Sequence, residues 1–550
     1  MKNPQKKVKT IEAFKEIFSV WRVHRFSIGI SIVFSLLALG FGLALMSLAG
    51  SKVALSALGI AMISSLMLKI LGGGRLIMRY VERLYTHNVM FKAIADLRVW
   101  FFKKLAKGAA AGLGFRHSGD ILSRLVTDIE TLDNLYLRIF LPFLGFLLTL
   151  LVLIASISMI NIPLAFILSL LFIISGFVCP LLSAWITCKR GKNLIQGIAK
   201  LRMVSLDCIA GLKEVRVFNA AHRLQSLIKK HEAILFNEYH AQAKIIACFS
   251  SISYLCGQIA VLCIFAAAMD IGFQGIHPLQ IVFCLFLTLT AFEVVLSLSK
   301  AGALAGQIVN SALRVVNVND GYVYVEQGYD STSPCGFDIK ICNLGFRWKE
   351  NTPWLYRAFN LSIKQGQRIA IVGSSGAGKS TLAALLLKII PATEGEIWLG
   401  DKQICDLKDD LVRSKIAWLS QETHLFDDTI RENLRLGYPD ASEEELWQSL
   451  KDAAVDDVVK SFPDGLDTWL GEGGIRVSGG QGRRIALART LLSKAPILLF
   501  DEPTTGLDVD TEKDFFQILN RIALDRTIIL IMHHLTGVEK IDYVCRLFDK

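Results

Sequence analysis

Six stretches of this chain are apolar over about the 20 residues that a helix needs to cross a bilayer. They are Phe26–Ala49, Val53–Leu71, Ile139–Ile160, Ile162–Trp185, Ile245–Ile271 and Leu279–Leu298. No other feature restricts the fold as much, because a lipid-exposed backbone must satisfy its own hydrogen bonds and therefore spans as helix. Gly50-Ser51-Lys52 and Asn161-Ile162-Pro163 separate two pairs of these stretches so closely that each pair reads as a hairpin. Phe26–Ala49 is too long for a cleaved signal core and reads as a retained first span.

Charge supports the same reading. The net charge is +11 in a chain that is 52% hydrophobic. Lys and Arg collect in the N-terminus and in two long segments, Arg75–Arg138 and Ile186–Lys244, while Asp270–Gln280 carries none. The positive-inside rule then places both termini and both long segments on the cytoplasmic side. Basic charge is accounted for without nucleic acid. The long segments keep helical spacing, with Asp120 as a candidate N-cap, and break near Gly112 and Gly211. The eleven cysteines form no CxxC pair and no metal-spaced cluster, and read as small buried hydrophobes. A polar stretch, Asn317–Gly336, reads as a linker between a membrane domain (1–316) and a soluble domain (337–550).

The soluble domain carries a nucleotide site. Gly373-Ser374-Ser375-Gly376-Ala377-Gly378-Lys379-Ser380-Thr381 follows a β-branched run and opens a helix, the setting of a P-loop. Glycines let backbone N–H groups curl around phosphates, and the helix N-terminus adds its dipole. Lys379 is placed to reach the β and γ phosphates of ATP, and the Ser380 hydroxyl to ligate Mg²⁺. "ILLFDEP" is a buried strand ending in Asp501, suited to Mg²⁺, and Glu502, suited to polarising the attacking water. Between them, Ser478-Gly479-Gly480-Gln481 opens a basic helix, a second anion site that needs another nucleotide or another subunit.

This order of motifs resembles the ABC ATPase family, whose signature is matched here as VSGGQ, with Val477 in place of Leu. The resemblance implies further roles: Trp348 stacks on adenine, Gln421 senses Mg²⁺ in the Q-loop, and Asp508 belongs to the D-loop. His533 is implied as the switch residue, with His534 where the family has Arg, although either histidine is near enough in sequence to serve. The whole is expected to be a six-helix transmembrane domain of ABC exporter type fused to an α/β P-loop ATPase domain. The segments near Gly112 and Gly211 would be its coupling helices.

"RYVERLYTHNVMFKAIADLR", "DILSRLVTDIETLDNLYLR" and "AFEVVLSLSKAGALAGQIVNSALRV" extend the resemblance to the CydC family of half-transporters, over nearly the whole chain. That family implies a CydD-like partner in a heterodimer within the lipid of the bacterial inner membrane. It also implies a small-molecule cargo, thiols (cysteine, glutathione) or haem, in support of cytochrome bd assembly. Haem binding is implied at His87 and Arg83. On helical spacing these share a face with Arg75, Arg79 and Glu82, expected where the second span meets the cytoplasm; as plain residues they read as cytoplasmic charge with an Arg79–Glu82 surface pair. Two departures stand out: the segment between spans one and two is short, and the stop at "RLFDK" is early, so the last strand and tail are expected to be truncated. A lipid or multidrug exporter and an ATP-gated haem- or redox-sensing regulator stay open as alternatives.

Overall fold

The computed structural model describes residues 10–57, 65–109, 118–273, 275–317, 328–348, 352–374, 376–421, 424–504, 509–522, 526–532 and 540–547. The chain divides into two compact units, Met1–Gly321 and Tyr322–Lys550.

The first unit is helical. A short helix, Thr10–Trp21, turns its Ala13, Ile17 and Trp21 inward against Met90, Leu97 and Phe101 of the helix Ser65–Ala109 and Ile308 and Val315 of the helix Pro278–Val316. Among the described residues, five helices are long and apolar enough to cross a membrane: Thr10–Ser56, Asp120–Ser158, Ile162–Cys188, Ala221–Ala268 and Pro278–Val316. The hairpin expected at Asn161-Ile162-Pro163 is present, its turn at Met159–Asn161 with Ile162 and Pro163 opening the next helix. Asn161 caps the new helix, its Oδ1 accepting from the Leu164 N–H at 3.0 Å.

The expected turn at Gly50-Ser51-Lys52 is absent, because one helix runs unbroken from Arg25 to Ala57. Gly50 is there for a close approach: a Cβ at this position would lie 2.9 Å from the Phe286 ring of the Pro278–Val316 helix. The expected second span, Val53–Leu71, is therefore displaced. Its place beside the first span is taken by the helix Ser65–Ala109, whose apolar turns are interrupted by Lys69, Arg75, Arg79 and Glu82. Contacts fix the antiparallel register of the pair. Lys52 reaches Ser65, the Arg75 guanidinium lies on Gly42, and Tyr85 meets Phe34 edge to face.

Three further corrections follow. The stripe from Arg75 to His87 runs alongside the apolar stretch of the first span instead of leaving it. No Arg79–Glu82 ion pair forms among the described residues; further along the same helix Asp96 meets His24 at 2.7 Å. Asp120 is not an N-cap, since the helix already starts at Ser118. Its carboxylate instead takes Arg124 at 3.0 Å and Arg314 at 2.7 Å, and Arg314 also reaches the buried Asp128 at 2.9 Å.

Glycines set the tightest helix crossing. A Cβ on Gly302 or Gly306 would strike the backbone of Pro180 or Thr187, and one on Gly191 would strike Gly306. Small residues of this kind let helices pack closely where lipid offers no hydrophobic drive. The long helix from Cys179 ends at Ala210, and a short helix, Leu212–Val217, precedes the helix Ala221–Ala268. Leu212, Val217 and Phe218 at this break are exposed. The other expected break, near Gly112, lies outside the described residues.

The second unit holds two sheets. β1 (Ile339–Phe346), β2 (Tyr356–Ile363), β4 (Glu394–Leu399) and β5 (Lys402–Gln403) form an antiparallel sheet in the order β2-β1-β4-β5. β3 (Arg368–Val372), β6 (Ile416–Leu419), β7 (Ile497–Asp501), β8 (Thr527–Met532) and β9 (Tyr543–Arg546) form a parallel sheet in the order β6-β7-β8-β3-β9. β7 and β8 are buried at every position, as expected of near-continuous apolar strands covered on both faces. One core, with Leu425, Leu434, Leu446, Leu450, Val459 and Leu470, joins the short helices after β6 and the helix Gly479–Leu492 to β7 and β8 through Leu498, Phe500, Ile528 and Leu530.

Candidate functional site

In an open parallel sheet, ligands bind beyond the carboxyl ends of the strands. Here β3 leads into the phosphate loop, β7 ends at Asp501, and β8 lies between them, pairing Met532 with Val372 and Ile531 with Asp501.

The loop closes on the helix Lys379–Leu386 through Gly378, which is left-handed at φ 96°. A Cβ there would lie 2.8 Å from both Leu355 Cδ2 and the Tyr356 hydroxyl oxygen. That hydroxyl donates to the Gly378 carbonyl at 2.7 Å, so a buried tyrosine of β2 holds the loop's last turn. Gly376 is also left-handed, at φ 87°. Lys379 is buried and donates to the carbonyls of Gly373 at 2.8 Å and Ser374 at 2.9 Å. The ammonium is thus held over the loop it serves. Ser375 lies outside the described residues.

Ser380, one residue on, hydrogen-bonds the Asp501 carboxylate, which joins the loop to the end of β7. Burial raises the Asp501 carboxyl above its ordinary range, and the Ser380 hydroxyl opposes that rise. Asp501 Oδ1 is buried with no hydrogen-bond partner among the described residues. A buried carboxylate oxygen in that state, beside a serine hydroxyl, fits a hard divalent cation such as Mg²⁺.

Glu502 follows with φ 48°, an uncommon backbone for a residue other than glycine. It is nearly buried and accepts from Gln421 Nε2 at 2.7 Å. Reading along the sequence misses the group that organises this corner. Arg483 donates to the carbonyls of Gln421 at 2.9 Å and Pro503 at 2.7 Å, and also to that of Glu502. Burial lowers its pKa, with Glu502 and Asp501 opposing. One guanidinium therefore ties the segment after β6, the end of β7 and the Gly479–Leu492 helix together. Its only sequence signal is an arginine pair directly after the SGGQG run.

Ser478 is the N-cap of that helix in a full capping box with Gln481: its hydroxyl accepts from Gln481 N at 3.3 Å, and its own N–H donates to Gln481 Oε1 at 2.9 Å. Gly479 has open space where a Cβ would stand. Trp348, just after β1, is 37% exposed and packs edge to face on Phe346. The structure thus brings Lys379, Ser380, Asp501, Glu502 and Gln421 together, and Arg483 joins the helix that Ser478 caps to the same corner. Asp508 and His533 lie outside the described residues.

In the helical unit, Arg83 and His87 are exposed one turn apart, and the His87 ring lies 6.1 Å from that of Phe91. Among the described residues no group of three or more His, Cys, Asp or Glu is placed to hold a metal ion.

Residues 356–505 match the ABC transporter family, and residues 25–299 match the ABC transporter transmembrane region. The chain belongs to the ABC transporter family as an exporter half-transporter, in which ATP hydrolysis is coupled to transport. It is similar over nearly its whole length to the glutathione/L-cysteine transport system ATP-binding/permease protein CydC. That of Haemophilus influenzae is 32% identical over 98% of this chain and 95% of its own, and that of Escherichia coli is 30% identical over 97% and 95%. The fold is that of a bacterial Atm1-family ABC exporter solved with ATP bound, with a TM-score of 0.83, 23% identity, and coverage of 96% of this chain and 94% of the other.

Proposed function

We propose that this chain is one half of a heterodimeric exporter that carries small thiols, L-cysteine or glutathione, across the bacterial inner membrane. A CydD-like subunit would complete it, and both termini would be cytoplasmic. The observation that carries this reading is the similarity to CydC along both units together, not along the ATPase alone.

The residues divide the work as follows. The loop from Gly373 through Ser374, Ser375, Gly376 and Ala377 to Gly378 cradles the phosphates of ATP, with Lys379 leaving its loop carbonyls for the β and γ oxygens. Thr381 continues the helix N-terminus behind them. Trp348 supplies a face for adenine. Ser380, Asp501 and Gln421 would hold Mg²⁺, which when bound neutralises phosphate charge. Glu502, oriented by Gln421, accepts a proton from the attacking water. Ser478, Gly479, Gly480 and Gln481 act on the partner's nucleotide, Asp508 serves as the D-loop aspartate, and His533 is the switch residue for the γ phosphate. The exposed Leu212, Val217 and Phe218 belong to the segment near Gly211 read as a coupling helix.

Hydrolysis by the reconstituted pair should rise when L-cysteine or glutathione is added. If neither thiol changes the rate nor is taken up, the cargo assignment is wrong while the ATPase assignment stands.

Haem is a second ligand of this reading. His87 offers one exposed imidazole for iron, and Arg83 one guanidinium for a propionate. His87 would hold the iron and Arg83 a propionate; among the described residues no group of three or more His, Cys, Asp or Glu stands ready to hold a metal. His87→Ala should abolish the Soret shift on haem titration; an unchanged titration removes this site.

A further inference from the structure

A cavity of about 210 Å³ opens in the helical unit just past its tightest crossing. At that crossing a Cβ on Gly191 would lie 2.4 Å from the Gly306 carbonyl carbon. Beyond it both helices carry long polar side chains, and the space between them widens. Lys192 and Gln196 stand one turn apart on the helix Cys179–Ala210. Asn310 and Arg314 stand one turn apart on the helix Pro278–Val316, which Asn317 ends. Arg124 adds a wall from a third segment.

Three of these residues are cations, and among the described residues no acid lines the cavity. The acids that pair with the arginines fix them in place. Asp120 takes Arg124 Nε at 3.0 Å and Arg314 Nη2 at 2.7 Å, and Asp128 takes Arg314 Nε at 2.9 Å. Arg124 Nη1 also donates to the carbonyls of Arg314 at 3.0 Å and Asn317 at 3.4 Å. Both guanidiniums are therefore oriented before any ligand arrives. Lys192 is exposed and forms no ion pair among the described residues. Three cations meet two carboxylates, which leaves one positive charge uncompensated. The cluster also stands clear of the apolar stretches. Arg124 is 15 residues before Ile139, Lys192 is seven beyond Trp185 and Arg314 is 16 beyond Leu298. Those separations are about 10–24 Å along the helices, so this charge does not carry the cost of burial in lipid.

We propose that this cavity binds the carboxylate end of a peptide thiol, the glycyl end of glutathione, with Lys192 and Arg314 on the carboxylate and the amides of Gln196, Asn310 and Asn317 on the adjoining peptide group. This rests on the thiol reading above and narrows it. Cations without a competing acid in the lining select an anion, and a guanidinium or ammonium bonded to a carboxylate makes the stronger, charge-assisted kind of hydrogen bond. Side-chain amides both donate and accept, as a peptide group requires. Asn310 has one part of this settled: its Nδ2 donates to the Gly306 carbonyl at 2.7 Å, which leaves Oδ1 to accept from a peptide N–H. The volume suits one end of a molecule, since pockets that enclose whole drug-sized ligands begin near about 300 Å³. L-cysteine offers a carboxylate but no peptide group, so it gains less here. The lining takes no residue from the helix Ser65–Ala109, so the cavity is separate from Arg83 and His87.

The test uses the full chain with its partner subunit in proteoliposomes, with ATP and thiol on the same side. Glutathione is compared with its monoethyl ester, in which the glycyl carboxylate is blocked, and with L-cysteine. In the wild type, glutathione should stimulate hydrolysis at concentrations at least about tenfold lower than the ester. Lys192→Gln should raise the glutathione concentration needed by about three- to tenfold and leave the response to the ester unaffected. Inorganic sulfate at the same concentration should not alter the glutathione response. Equal wild-type responses to glutathione and ester, or a Lys192→Gln variant that shifts neither or both alike, overturn the proposal and spare the thiol reading. So does a response to L-cysteine with none to glutathione. Sulfate that suppresses the glutathione response in the wild type but not in Lys192→Gln makes the cavity a general anion site, which also overturns the proposal. A wild type that answers to no thiol overturns both.

Discussion

Glu502→Gln should cut ATP hydrolysis by about 100- to 1000-fold while leaving ATP binding intact. The substitution keeps the shape and the hydrogen-bonding reach toward Gln421, whose Nε2 stands 2.7 Å from the Glu502 carboxylate. It removes only the capacity to take a proton from water. Binding is spared because the phosphate cradle is built from other groups: Lys379 on the Gly373 and Ser374 carbonyls, and Ser380 on Asp501. Steady-state hydrolysis and equilibrium nucleotide binding on the same sample check this. Turnover within a few-fold of wild type would show that another group activates the water. Loss of binding together with turnover would show instead that Glu502, at φ 48°, supports the site's backbone.

Gly378→Ala should abolish nucleotide binding and destabilise the ATPase unit by about 2–4 kcal/mol. Two costs add. The backbone at φ 96° is strained for any residue with a Cβ, and that Cβ would press on Leu355 and the Tyr356 hydroxyl at 2.8 Å. Neither neighbour can withdraw easily, because Tyr356 is buried in β2 and its hydroxyl is bonded to the Gly378 carbonyl at 2.7 Å. The loop must rotate, and its N–H groups then leave the phosphates. Thermal unfolding with and without ATP reads both effects. An unshifted midpoint with a normal ATP-induced rise would contradict this account of the loop.

What the sequence made legible, and what it did not, follows from how local each interaction is. The phosphate loop could be read because its geometry is encoded within nine consecutive residues. Strand, glycines, lysine and helix start are all contiguous, and the left-handed Gly376 and Gly378 are demands of the loop itself. Asn161 before Pro163 was equally local, a cap and a first-turn proline. Arg483 was not legible, because its partners at Gln421, Glu502 and Pro503 meet only when three segments converge.

Gly50 shows a different difficulty. A glycine between apolar runs signals a turn or a close approach with equal force, and only the Phe286 ring against it tells which. That single ambiguity displaced the second span and, with it, the depth assigned to Arg75 and its neighbours. Asp120 was misread for a related reason: an acid near a helix start resembles a cap, but its partners Arg124 and Arg314 are side chains, one of them from a distant helix.

The most direct test of coupled thiol transport is ATP-dependent uptake of labelled L-cysteine into inside-out vesicles holding this chain and its partner. The expected result is accumulation that requires ATP and disappears with Glu502→Gln, although that variant still binds nucleotide. ATP hydrolysis without any accumulation of L-cysteine or glutathione, or accumulation that persists in Glu502→Gln, would contradict it.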